Sequence, residues 1–110
     1  ERWHAWITRE FPGHTAGTEV PVAWWNADGQ AMEGWIDSLL TLENGHSIVV
    51  DHKTNSRTEP ADVLDFIRRE YVGQLATYLN ALEERTGRRP DYALVHLPLS
   101  GYVVKVEAKA

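Results

Sequence analysis

Trp3, Trp6, Ile7 and Phe11 recur at spacings of three to four residues and stop before Pro12-Gly13, which predicts a short helix with one apolar face. From Thr18 to Asn26 the β-formers Val20, Val22, Trp24 and Trp25 dominate. The turn-forming Ala27-Asp28-Gly29-Gln30 then leads into a second β-rich run, Trp35 to Leu42, so a hairpin is predicted. Glu43-Asn44-Gly45 is a further turn signal, and His46 to Asp51 reads as the third strand of a meander. After a polar, irregular stretch over 52–59, Pro60 suits the first turn of a helix. Leu64, Ile67, Tyr71, Leu75, Leu79 and Leu82 form its apolar stripe, with an end near Thr86-Gly87 and a kink or close packing point at Gly73. Tyr92 to Leu97 and Tyr102 to Val106, separated by Pro98-Leu99-Ser100-Gly101, read as two more strands. A strand, a crossover helix and another strand predict one parallel pairing with a right-handed connection, so the class is α/β with a mixed β-sheet.

The 110 residues carry no repeat or linker-like tract and read as one domain, 1–110. With 43% hydrophobic and 25% charged residues, the chain has the composition of a globular domain with a core. No apolar run approaches the roughly 20 residues that cross a bilayer, and Glu1-Arg2-Trp3-His4 is no leader, so a soluble protein without a membrane partner is expected. The absent initiator Met suggests a piece of something longer. Zero cysteines exclude disulfide scaffolds, Cys-ligated zinc, iron–sulfur clusters and thiol nucleophiles. A net charge of −5 gives no broad basic face, so contact with nucleic acid would be local and helped by a metal.

Two acids and a lysine stand out. Asp51 and Lys53 are two apart at a strand end and share a face, a pattern that two solvated charges would also produce. Asp37 lies inside the otherwise apolar Gly34-Trp35-Ile36-Asp37-Ser38-Leu39-Leu40, where charges rarely sit without a partner. If the hairpin register sets Asp37 beside Asp51, two carboxylates about 4 Å apart repel by roughly 4 kcal/mol at an effective dielectric near 20. A divalent cation with oxygen ligands, Mg²⁺ or Mn²⁺, would offset this more fully than one lysine; a structural Asp/Lys pair is the competing reading. Gln74 and Tyr78, four apart on the long helix, share a face from which both could bond phosphate oxygens, or lie as an edge Tyr and a surface Gln.

Gly34-Trp35-Ile36-Asp37, Asp51-His52-Lys53 and the helical run from Tyr71 through Gln74 and Tyr78 to Leu82 resemble, in order and spacing, the RecB-type branch of the PD-(D/E)XK nuclease superfamily. Glu19-Val20-Pro21-Val22 resembles the strand that precedes its GxxD element, so the likeness spans residues 19–82. The resemblance implies a restriction-endonuclease-like mixed sheet with flanking helices, as in the C-terminal domain of helicase–nucleases that process DNA ends for recombinational repair. It implies an exonuclease-type, Mg²⁺- or Mn²⁺-dependent deoxyribonuclease. Asp37, Asp51 and the His52 backbone carbonyl are then metal ligands, with Glu19 a further candidate acid. Lys53 is implied to orient the attacking water and counter phosphate charge, and Gln74 and Tyr78 to steady the lysine and the DNA backbone. DNA, single-stranded or at duplex ends, and helicase domains of the same chain or complex are the implied partners, in a cytoplasmic, nucleoid-associated setting.

The chain departs from that pattern in three places. Ile36 replaces the proline of the superfamily's name, as is common in this branch. The upstream helix with a histidine ligand has no recognisable signature; His4 is the candidate within the chain, and the ligand is expected N-terminal to it. A GxxxxGK[ST] loop is absent, so no ATPase is encoded here. A nuclease-like module that binds DNA or docks protein without cutting is the alternative.

Trp3, Trp6 and Trp35 occupy patterned apolar positions and are expected in the core, whereas one of the adjacent Trp24 and Trp25 must face away. His14, His46 and His96 have no ligand spacing. Arg57, Arg68, Arg69, Arg85, Arg88 and Arg89 could line a strand path, and those near residue 87 equally suit a helix C-terminus.

Overall fold

The predicted hairpin turn forms around Asn26, whose side-chain oxygen accepts from the backbone N–H of Asp28 at 3.0 Å and of Gln30 at 2.9 Å, an Asx-type closure. It joins β1 (Thr15–Trp25) to β2 (Ala31–Thr41), both longer than their β-branched centres alone predict. The computed structural model describes residues 2–54 and 57–107; of the irregular stretch expected over 52–59, residues 55 and 56 lie outside that description. Before the hairpin comes α1 (Arg2–Glu10), and after it β3 (Ser47–His52), α2 (Pro60–Glu70), α3 (Val72–Thr86), β4 (Tyr92–Leu97) and β5 (Tyr102–Val106).

The strands form one mixed sheet in the order β1-β2-β3-β4-β5. Neighbours are antiparallel except β3 and β4, which run parallel because the two helices carry the chain across. The crossover breaks at Tyr71, two residues before Gly73, the natural breaker by sequence. Pro60 opens α2 as expected, and α3 ends on Gly87 at φ +77°, the left-handed conformation glycine adopts without strain.

Alternation along β3 divides the core. Ile48 and Val50 pack with Ile7, Leu40 and Leu94 beneath α1, while Val49 packs with Ile36, Leu75, Leu79, Leu82 and Val95 beneath α2 and α3. The sheet therefore has α1 on one side and the helix pair on the other. Trp3 and Trp6 pack at the rim of the α1 core as expected. Trp35 corrects the expectation: it is 64% exposed, because it pairs with Pro21 on the hairpin face opposite the one that Val22 and Ile36 bury in the core. Trp25, at 73%, is the member of its pair that faces away.

The arginines at the end of α3 make tertiary contacts. Arg85 donates to Pro21 O at 2.8 Å, Arg88 to Gly45 O at 3.3 Å, and Arg89 pairs with Asn80 and Glu83. His46 meets Asp91 at 2.9 Å, and His14 Nδ1 the Phe11 carbonyl at 2.8 Å, so both serve local structure.

Candidate active site

The pleat of β3 sends Asp51 to the same side as Val49, toward the helix pair, and Lys53 follows just past the strand end. Asp51 is 6% exposed and is the buried charged residue among the described core positions. Lys53 Nζ stands 3.0 Å from its Oδ2, ion-pair distance, yet that buried oxygen receives no well-aligned hydrogen bond. Burial pushes the Asp51 carboxyl up to about 6, a hydrogen bond with the Asp37 carboxyl adds to the rise, and Lys53 opposes it.

The antiparallel register pairs Ser38 with Val50, so Asp37 comes level with Asp51, as the hairpin reading required. Asp37 Oδ2 accepts the backbone N–H of His52 at 2.7 Å, which ties the end of β3 to β2 through a side chain. Unlike Asp51, Asp37 is exposed. Its exposure follows from a change of face: Val20 and Ile36 pair and pack beneath the helix pair, whereas Thr18 and Ser38 pair and line a cavity on the α1 side. Residues two apart in a strand normally share a face. Both strands switch at the Glu19–Asp37 position, where no ladder pair forms and Glu19 adopts φ +50°. That left-handed conformation costs a non-glycine residue roughly 1–2 kcal/mol and leaves Asp37 at the crossover, open to solvent and in reach of Asp51. Glu19 lies opposite Asp37, but among the described residues no three acidic or histidine side chains converge on one point.

On α3 the two expected residues separate. Gln74 is exposed, while Tyr78 is buried at 8%, edge-on to Trp24 with ring centroids 5.7 Å apart, and burial, then the Asp51 charge, raise its pKa. Tyr78 lies across Gly34: a Cβ there would stand 2.8 Å from the Tyr78 hydroxyl oxygen and 3.3 Å from Cε1 and Cζ. The glycine three residues before Asp37 thus makes room for the tyrosine. Gly34→Ala is expected to destabilise the fold by about 1–3 kcal/mol through overpacking, and adding Tyr78→Phe, which removes the nearest atom, to recover part of the loss in urea unfolding.

The α1 side brings together aromatic groups that spacing did not connect. Trp3 stacks on His96 at 4.2 Å and meets His52 edge-on at 5.3 Å, and the two histidines face each other through their Nδ1 atoms at 2.9 Å, a contact in which the Nδ1–H tautomer of one ring donates to the bare Nδ1 of the other. His96 comes into reach because the parallel register sets it level with His52. A cavity of about 500 Å³ runs from Trp3 and His4 past His52 to Asp37. The sequence reading of the lysine also missed a contact: Lys53 Nζ sits 4.6 Å from the centroid of the Tyr71 ring. The register of the parallel pairing and the break between the helices produce these contacts; the sequence predicts the pairing but neither its register nor the break.

The donor set suits a hard divalent cation. Asp51 Oδ2 is buried without an aligned donor, and a second carboxylate lies beside it. Mg²⁺ and Mn²⁺ are commonly held by one or two carboxylates while water and substrate oxygens fill the other positions. Free of metal, the site carries a pH signature. Asp51 has a folded pKa above its unfolded one, so its stabilising contribution is complete below about pH 4 and is lost as pH rises through about 6. Urea midpoints in EDTA are expected to fall over that window by an amount worth about 2 kcal/mol, and Asp51→Asn to flatten that part of the profile.

Comparison with known proteins places these residues in context. The family model described as the PD-(D/E)XK nuclease superfamily matches residues 1–109. A subunit of the ATP-dependent helicase/nuclease of Carboxydothermus hydrogenoformans is 40% identical over 86 residues, 76% of this chain and 7% of the relative. The chain therefore spans a small part of that relative's length. Among solved structures, the crystal structure of SSO0001 superposes with a TM-score of 0.59 at 18% identity, covering 99% of this chain and 48% of that one, which is likeness of fold.

Proposed function

Because the chain belongs to the PD-(D/E)XK nuclease superfamily, we propose that it is a metal-dependent deoxyribonuclease module that hydrolyses phosphodiester bonds at DNA ends, working with helicase domains in end processing and recombinational repair. One observation carries this reading: a buried aspartate whose charge a neighbouring lysine favours and a neighbouring carboxyl opposes, with no well-aligned hydrogen bond to its Oδ2. Asp37, Asp51 and the backbone carbonyl of His52 would hold the Mg²⁺ or Mn²⁺ ion, with Glu19 an outlying acid. Such an ion, when bound, supplies an acidified water and positive charge for the phosphate. Lys53 donates hydrogen bonds to a phosphate oxygen or to the attacking water and balances charge that grows in the transition state. Asp37, through the His52 N–H, fixes the strand end that carries Lys53. Gln74, exposed on α3, is available to the DNA backbone, while buried Tyr78 acts by holding the helix against the sheet. A cytoplasmic, nucleoid-associated location goes with this role.

A docking role draws on Trp25 and Trp35, both exposed on the hairpin. Time courses with 5′- and 3′-labelled single-stranded and duplex DNA separate the two readings. Progressive, metal-dependent release of nucleotides from an end supports the nuclease. Binding without cutting, weakened by Trp25→Ala, supports docking instead.

A further inference from the structure

A lysine ammonium at the end of a flexible four-carbon stem needs more than one contact to be held in place. Asp51 Oδ2, 3.0 Å away, is one anchor for Lys53. It is a compromised one, because the same carboxylate is the proposed ligand of a divalent cation that would repel the ammonium. The second contact is the face of Tyr71, 4.6 Å from Nζ, and an aromatic face attracts a cation without carrying charge of its own.

The backbone at Tyr71 is built for this placement. The residue sits between α2 and α3 at φ −124°, ψ −21°, outside the helical conformation. Its N–H still donates to Ile67 O at 2.9 Å, and its carbonyl still accepts from Leu75 N at 2.9 Å, so the break leaves no orphaned backbone group. Phe66 meets the Tyr71 ring edge-on, with centroids 5.4 Å apart and planes at 86°, and the Arg57 guanidinium covers Phe66 at 4.2 Å. An edge-on aromatic pair, with Phe66 supplied by α2, thus ends at the lysine.

We propose that Tyr71 is a positioning residue for Lys53: the break between α2 and α3 exists to set its ring against the ammonium and hold it over Asp51. The proposal rests on the nuclease reading, and it moves the steadying of the lysine from Gln74 and Tyr78 to Tyr71.

The test pairs kinetics with a spectroscopic readout. The Lys53 ε-methylene protons, lying by the ring, are expected to show an upfield ring-current shift in metal-free protein, kept in Tyr71→Phe and lost in Tyr71→Leu. Cleavage in Mn²⁺ is expected to lose about tenfold in kcat with KM little changed in Tyr71→Leu, and to stay within about threefold of the parent in Tyr71→Phe. If Tyr71→Leu does not fold, Tyr71→Met is read in its place. An unshifted Lys53 in the parent protein, or a folded Tyr71→Leu that cuts at the parent rate, overturns the proposal while leaving the nuclease reading intact. A shifted Lys53 in a parent protein that never cuts overturns the nuclease reading, and the catalytic purpose of the clamp with it.

Discussion

Lys53→Ala is expected to cut metal-dependent cleavage of DNA by at least about a hundredfold, the scale seen when one preorganised donor to a developing oxyanion is removed. The fold should survive. Lys53 partners Asp51 at the end of β3, and its side chain remains 24% exposed. Without the ammonium, the Asp51 carboxyl, already raised to about 6, rises further and takes up a proton rather than remaining a bare buried charge. The expected fall in melting temperature is therefore at most about 4 °C, the equivalent of roughly 1 kcal/mol in a domain of this size. Single-turnover cleavage and thermal unfolding on the same preparation check both halves. A folded Lys53→Ala that cuts like the parent would remove the lysine from the mechanism.

The second large effect is on stability. Two carboxylates held side by side are costly without a cation and favourable with one, so Mn²⁺ at a hundred times its dissociation constant should stabilise the folded state by about 2.7 kcal/mol, or about 10 °C. Asp51→Asn keeps the shape, removes a ligand charge and should shrink that rise to a few degrees. In EDTA the order reverses: Asp37→Asn should melt above the parent, because an amide can still accept the His52 N–H at the position where Asp37 does so at 2.7 Å, without opposing Asp51. Differential scanning calorimetry with and without Mn²⁺ reads both. Equal shifts in parent and Asp51→Asn would mean that the ion binds elsewhere. Binding should also strengthen as pH rises through about 6, because the cation must displace the Asp51 proton.

The strands and helices of this chain are largely readable from its apolar spacing, because each lies on a boundary between core and solvent. The β-runs centred on Val22, Ile36 and Val49 and the stripe Ile67, Leu75, Leu79, Leu82 all reach the core. Trp35 misleads because apolar character says nothing about which sheet face a helix covers, and α1 covers only the part near β3 and β4. Asp37 and Asp51 could be paired on paper, since hairpin register is local. Their unequal burial could not, because it depends on both strands changing face at Glu19, a left-handed residue with no glycine to mark it. The break at Tyr71 was equally hidden: Gly73 is the weaker helix former, yet the chain turns where an aromatic ring meets Lys53. Gly34 was legible only as part of a motif, and its physical reason, the close approach of Tyr78, emerges from the packing.

The most direct test is release of labelled nucleotide from end-labelled single-stranded DNA in Mn²⁺, in Mg²⁺ and in EDTA, by the parent chain and by Asp51→Asn. Cutting by the parent in metal, absent in EDTA and absent from folded Asp51→Asn, is the predicted result. Metal-dependent cutting that survives Asp51→Asn would contradict the assignment of the buried aspartate as the centre of the site.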